Sequence, residues 1–207
     1  MDYTAIIKWL DETSKIMAEQ RDYLIQLDSV VGDGDLGLTM SDGFLAAYNS
    51  VKDQNITDCG MLLYTAGKAM GSAVPSSMGT LMASGLMRAG KELKGKTELT
   101  PDDFVALFKA YEEGVADRGK AKVGEKTFLD GLNPAVTALK ESLERGDDLK
   151  TAAEKAAKAA EQGFENTTTM VARHGRAAAR GEASRSIKDP GAAVAMFMIK
   201  AFSNSVS

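Results

Sequence analysis

The chain has 207 residues, enough for one domain with a sizeable core, and carries a formal net charge of −4 with 44% hydrophobic and 26% charged residues. The acidic balance excludes a mainly nucleic-acid-binding role, which needs a basic face, and no window reaches the roughly 18 apolar residues of a membrane span. The single cysteine, Cys59, excludes an internal disulfide and a cysteine-based zinc site. It fits a reducing compartment. Met1-Asp2-Tyr3 lacks the basic and apolar stretches of a secretory signal, so the expected location is cytoplasmic.

From the start of the chain, Ile6, Leu10, Met17, Leu24 and Leu27 form the apolar face of one long first helix. The segment Ser29 to Leu38 interrupts the pattern with glycine and aspartate. Met82, Leu86, Ala89 and Leu93 restore helical spacing. Thr100-Pro101-Asp102-Asp103 then supplies an N-cap hydroxyl, a proline at the first helical position and acids in the first turn. The helix it opens carries Phe104, Leu107, Phe108, Tyr111 and Val115. The next carries Leu129, Leu132, Val136, Leu139 and Leu143, with Pro134 predicting a kink inside it. Residues 149–163, rich in alanine and lysine, read as an amphipathic helix. Thr167 to Lys188 holds Arg173, Arg176, Arg180, Arg185 and Lys188 with little apolar content and reads as irregular. Asp189-Pro190 opens a final helix, apolar nearly all round from Ala192 to Phe202 and therefore expected at the centre of the molecule. No alternating β-branched run reads as a strand. The pattern gives seven to nine helices in a single domain spanning 1–207.

The glycine–aspartate segment carries the chemistry. Asp28 is expected near the end of the first helix, and Asp33 and Asp35 stand two apart in a loop whose glycines permit a sharp turn. Three carboxylates converging without a cation would repel, and a bound dication removes that conflict. All-oxygen donors without a nearby His or Cys select magnesium, calcium or manganese over zinc or copper. A calcium-binding EF-hand loop fails on spacing, since Asp33 as position 1 puts Leu38 at position 6 and Phe44 at position 12. Gly119 to Thr127 superficially resembles a P-loop, but its lysine falls one residue late and no strand precedes it. His174, the only histidine, lies in the irregular arginine-rich segment with no partner evident from sequence.

The pattern L-D-x-x-x-G-D-G-D-x-G from Leu27 to Gly37 resembles the DhaL family, the nucleotide-binding subunit or domain of dihydroxyacetone kinases. Three further segments match it in order: Pro75 to Leu81 at the family's glycine–serine loop, Gly119 to Asp130, and Gly175-Arg176-Ala177 followed by Asp189-Pro190-Gly191-Ala192. The sequence departs from the family pattern at Leu36, often histidine, at Pro75 and Met78 in the serine loop, and across Ala183 to Ile187. The resemblance implies an all-α fold of eight antiparallel amphipathic helices closed into a barrel. It implies that Asp28, Asp33 and Asp35 hold magnesium, as a pair of ions bridging the phosphates of ADP or ATP. It places Leu36, Gly37, Leu38, Thr39, Ser76, Ser77 and Met78 beside the nucleotide, Gly119 and Phe128 at the adenine, Arg176 within reach, and Asp189, Pro190 and Gly191 beside the sugar. Ser76, Ser77 and Thr80 are the candidate replacements for the family serine.

The activity so implied is phosphoryl transfer to the hydroxyl of a short ketose held by a separate DhaK-like subunit, with ADP recharged by a phosphohistidine carrier of the DhaM type. Two alternatives stand beside it. One is an ATP-dependent kinase of a ketose such as erythrulose, with exchanging nucleotide. The other is a non-catalytic magnesium–nucleotide sensor. The resemblance also admits a homodimer, and implies neither nucleic acid nor membrane as a partner.

Overall fold

A computed structural model describes residues 1–207, and it is helical throughout. Nine α-helices follow one another: α1 (Thr4–Glu19), α2 (Arg21–Val31), α3 (Leu36–Asn49), α4 (Cys59–Ala73), α5 (Ser77–Glu92), α6 (Pro101–Gly119), α7 (Phe128–Glu144), α8 (Leu149–Asn166) and α9 (Pro190–Ser205). The helix starts are encoded locally. Thr100 and Thr127 each form a capping box, with Asp103 and Asp130 as the reciprocal partners. Asp58, Ser76, Asp148 and Asp189 accept from backbone N–H groups at the starts of α4, α5, α8 and α9.

Eight of these helices form a closed ring. From α3 to α9 each helix packs on the next, α1 packs on α3, and α9 packs back on α1. The ninth, α2, stacks on α3 and α9. The first helical stretch is thus two helices rather than one. The chain bends at Gln20 (φ −95°, ψ 10°), which separates the ring helix α1 from α2, and no glycine or proline marks the break.

Nearly every residue of α9 from Ala192 to Phe202 is buried, as its apolar circumference predicts. Phe202 meets Phe108 with ring centroids 4.9 Å apart and Phe104 at 5.2 Å, and Trp9 packs edge-on against Phe108 at 5.3 Å. The Trp9 indole N–H donates to the carbonyl of Met198 across the α1–α9 seam at 3.3 Å. Helix α7 runs without interruption through Pro134, so the proline does not end it. There α8 packs closely on it: a β-carbon at Gly163 would lie 2.4 Å from the Asp130 carbonyl and 2.8 Å from Pro134 Cγ.

Candidate functional site

One end of the ring gathers the loop between α2 and α3, the start of α5, the segment between α6 and α7, and the segment between α8 and α9. Asp28, in the final turns of α2, and Asp33 and Asp35 in the following loop bring ligand oxygens within 4.8 Å of one another. Two glycines make this approach feasible. A β-carbon at Gly32 would lie 2.5 Å from Asp28 Oδ1, and Gly34 takes a left-handed φ of 76°, where a β-carbon would meet Ser29 Oγ at 2.6 Å. Asp28 Oδ2 accepts from the Leu36 N–H at 3.3 Å, which ties the carboxylate to the first residue of α3.

The electrostatics of the cluster are unfavourable as it stands. Burial pushes the Asp35 carboxyl above the usual carboxylate range, and the neighbouring charges of Asp33 and Asp28 push it further. Only Arg176, paired with Asp33 at 2.6 Å, opposes the trend. Three hard oxygen donors converging with excess negative charge fit a magnesium-type dication.

The cluster opens onto a cleft of about 400 Å³. Asp28, Asp33, Asp35 and Leu36 line one side, Ser76, Ser77 and Met78 a second, and His174, Gly175, Arg176, Asp189, Pro190 and Gly191 a third. The Ser76 hydroxyl oxygen caps α5 by accepting from the Gly79 N–H at 3.0 Å; its proton stays free to donate, and the amino end of α5 faces the cleft, as a helix start that suits an anion does. Thr80 does not reach the cleft, because its hydroxyl donates to the Ser76 carbonyl at 2.8 Å.

A smaller cavity of about 190 Å³ adjoins, lined by Met78, Leu81, Val115, Gly119, Ala121 and Phe128 among others. Its apolar walls suit a flat ring. Leu38 and Thr39 line a separate shallow hollow with Asp42 and Pro75, next to Asp35. Gly37 lines none of these: it is buried against α2, and a β-carbon there would lie 2.1 Å from the Arg21 carbonyl oxygen.

The arginine-rich segment forms no α-helix, as its sequence predicts. It forms a short 3-10 turn at Thr167–Thr169 and further 3-10 turns over Arg176–Ser184, kinked at Gly181. Arg180 donates to the Val30 carbonyl, joining the segment to α2. His174 does have a partner: its Nε2 lies 2.6 Å from Glu125 Oε2. That contact holds the Glu125 carboxyl below its ordinary range, helped by the Lys122 N–H. His174 and Gly175 line both the cleft and the smaller cavity, a position that sequence spacing could not reveal because Glu125 is 49 residues away. At the remaining edge, burial pushes the Asp189 carboxyl up to about 7.

This geometry coincides with a sequence relationship: residues 30–204 match the DAK2 domain model. The chain is a DAK2 domain of the DhaL family. This DAK2 domain is 34% identical over 197 residues to the PEP-dependent dihydroxyacetone kinase ADP-binding subunit DhaL of Escherichia coli K12, covering 95% of this chain and 94% of that protein. It is 30% identical over 201 residues to the L-erythrulose 1-kinase of Mycolicibacterium smegmatis, covering 95% of this chain and 34% of that one. The fold of the DAK2 domain is also that of part of a solved dihydroxyacetone kinase from C. freundii. The TM-score is 0.75 at 22% identity, over 97% of this chain and about a third of that longer one (34%).

Proposed function

We propose that this chain is the ADP-binding, magnesium-dependent subunit of a dihydroxyacetone-type kinase. The observation that carries the reading is the aspartate cluster, with its oxygens within 4.8 Å of one another, at the mouth of a cleft that continues into an apolar cavity. Such a site accepts a metal-bound phosphate chain at one end and a planar base at the other. The similarity to relatives named as ADP-binding DhaL subunits supports the same reading.

Asp28, Asp33 and Asp35 would hold the metal, which when bound neutralises phosphate oxygens and aligns the terminal phosphoryl group. Around it the chain's own groups bind and orient. The amino end of α5 and the Ser76 and Ser77 hydroxyls would donate to phosphate oxygens. Arg176 would exchange its pairing with Asp33 for phosphate charge. Gly119, Phe128 and Met78 would receive the base, and Asp189 to Gly191 would lie beside the sugar. None of these groups is an activated nucleophile, so transfer depends on positioning and charge. In this reading the ketose is held by a separate DhaK-like subunit, and a phosphohistidine carrier of the DhaM type returns phosphate to ADP.

The test is nucleotide retention. The protein purified in magnesium should release ADP on denaturation, and purification with a chelator should strip it. Asp33→Asn and Asp35→Asn should each lower phosphoryl transfer in the reconstituted system by at least about a thousandfold, the scale on which such charge-stabilising groups act. Retained transfer in both variants would overturn the assignment. Retained ADP without any transfer to a ketose in the presence of partner subunits would instead indicate a nucleotide sensor.

A further inference from the structure

Lys126 occupies an unusual position for a cation. Its backbone is left-handed at φ 61°, and the residue is 3% exposed. Its ammonium donates to the carbonyls of Thr167 and Ser184 at 2.7 Å each, of Arg185 at 3.0 Å and of Met170 at 3.3 Å, and to that of Ile187. No carboxylate lies within ion-pairing distance of it. An ammonium has three protons, so five carbonyl oxygens share them around one nitrogen, the arrangement of a caged cation rather than of single hydrogen bonds.

The carbonyls come from two places. Thr167 and Met170 stand where the segment between α8 and α9 begins, and Ser184, Arg185 and Ile187 where it ends. The ammonium therefore fastens the neck of a loop. Within that loop lie Arg176, paired with Asp33, and His174, paired with Glu125, the residue preceding Lys126. Thr127 and Phe128, which follow it, cap α7 and line the smaller cavity.

We propose that Lys126 is a positioning residue for nucleotide phosphate: a tethered ammonium that does the work of a bound monovalent cation, closing the loop neck so that Arg176 and His174 reach the cleft already ordered. The proposal rests on the reading of the cleft as a magnesium–ADP site. The physical reason is preorganisation. A loop fastened before binding need not be ordered by the nucleotide, and the affinity otherwise falls with the fraction of molecules whose loop is closed.

Lys126→Gly suits the positive φ and removes the ammonium from its ring of carbonyls. Lys126→Arg keeps the charge but spreads its donors over a planar fork that cannot converge on one focus. The expected result for Lys126→Gly is unchanged far-ultraviolet helix content with tryptic cleavage at Arg173, Arg176 and Arg180 faster by about tenfold or more. Its magnesium–ADP affinity, read by calorimetry, should be weaker by a similar factor of about ten. Added n-butylammonium should restore both, and tetramethylammonium, which has no N–H, should restore neither. Cleavage and affinity within about twofold of wild type in both variants, or losses that n-butylammonium leaves untouched, would overturn the proposal. If Lys126→Gly does not fold, Lys126→Arg decides, with accelerated loop cleavage expected and an unchanged rate against. If wild-type protein binds no magnesium–ADP, the reading of the cleft falls, and the cleavage measurements still decide whether Lys126 holds the loop.

Discussion

The Asp189 carboxyl is pushed up to about 7 by burial, although it accepts from the Ala192 N–H at 2.7 Å and feels the charge of Lys126. In the unfolded chain the same group loses its proton near the ordinary aspartate value. Between those two values the folded state binds the extra proton, so folding stability falls as pH rises across that interval. The penalty is absent below about pH 4 and complete above about pH 7. Asp189→Asn keeps an oxygen to cap α9 and removes the titration. Urea unfolding from about pH 5 to about pH 8 should therefore show wild type losing on the order of a few kcal/mol relative to the variant. Parallel curves would mean that Asp189 is ionised throughout. Residues of this kind divide by how far their partners lie along the chain. The convergence of Asp28, Asp33 and Asp35 was legible because one short glycine-rich stretch holds them. The partnership of His174 with Glu125 and the caging of Lys126 were not legible, since they depend on where α7 and the segment before α9 meet.

Between elements, the decisive contact for the aspartate cluster is the stacking of α3 on α2. Gly37, which the family resemblance implies beside the nucleotide, stands at this helix crossing, facing the Arg21 carbonyl. Asp28 belongs to one helix and Asp35 immediately precedes the other, so the crossing sets their separation. Gly37→Ala should force the helices apart and destabilise the fold by about 1–3 kcal/mol, as overpacking does. It should also weaken magnesium-dependent ADP binding more than that loss alone explains. An unchanged urea midpoint would show that the Arg21 backbone yields at no cost. Helix starts were readable because caps are local: Thr100-Pro101 and Asp189-Pro190 begin α6 and α9 where their residue types require. The bend at Gln20 was not readable. The apolar spacing continues across it, and what separates α1 from α2 is the neighbours each one packs against.

Across the whole molecule, the apolar circumference of its final segment correctly made α9 a buried helix, while ring closure followed from family resemblance and not from periodicity. Closure depends on an aromatic group drawn from three distant helices: Trp9 on α1, Phe104 and Phe108 on α6, and Phe202 on α9. Phe202→Ala removes the ring that meets both phenylalanines and should cost about 3–5 kcal/mol in urea unfolding, the range for a buried aromatic truncation. Trp9 is the only tryptophan. Its fluorescence therefore reports the seam directly and should change together with helical circular dichroism if the ring opens as one unit. A fluorescence transition well before loss of helicity would mean that α9 detaches alone.

That seam also bears on how the protein is made. Helix α1 is synthesised well before α9, yet part of the surface that covers Trp9 is supplied by residues near 198. While the intervening helices are being synthesised, the nascent chain is an open arc with a sticky inner edge, at the few residues per second typical of translation. The native α1–α3 contact leaves that edge open, and its own partner comes only with α9. A ribosome stalled short of α9 would leave the tryptophan uncovered on its α9 side.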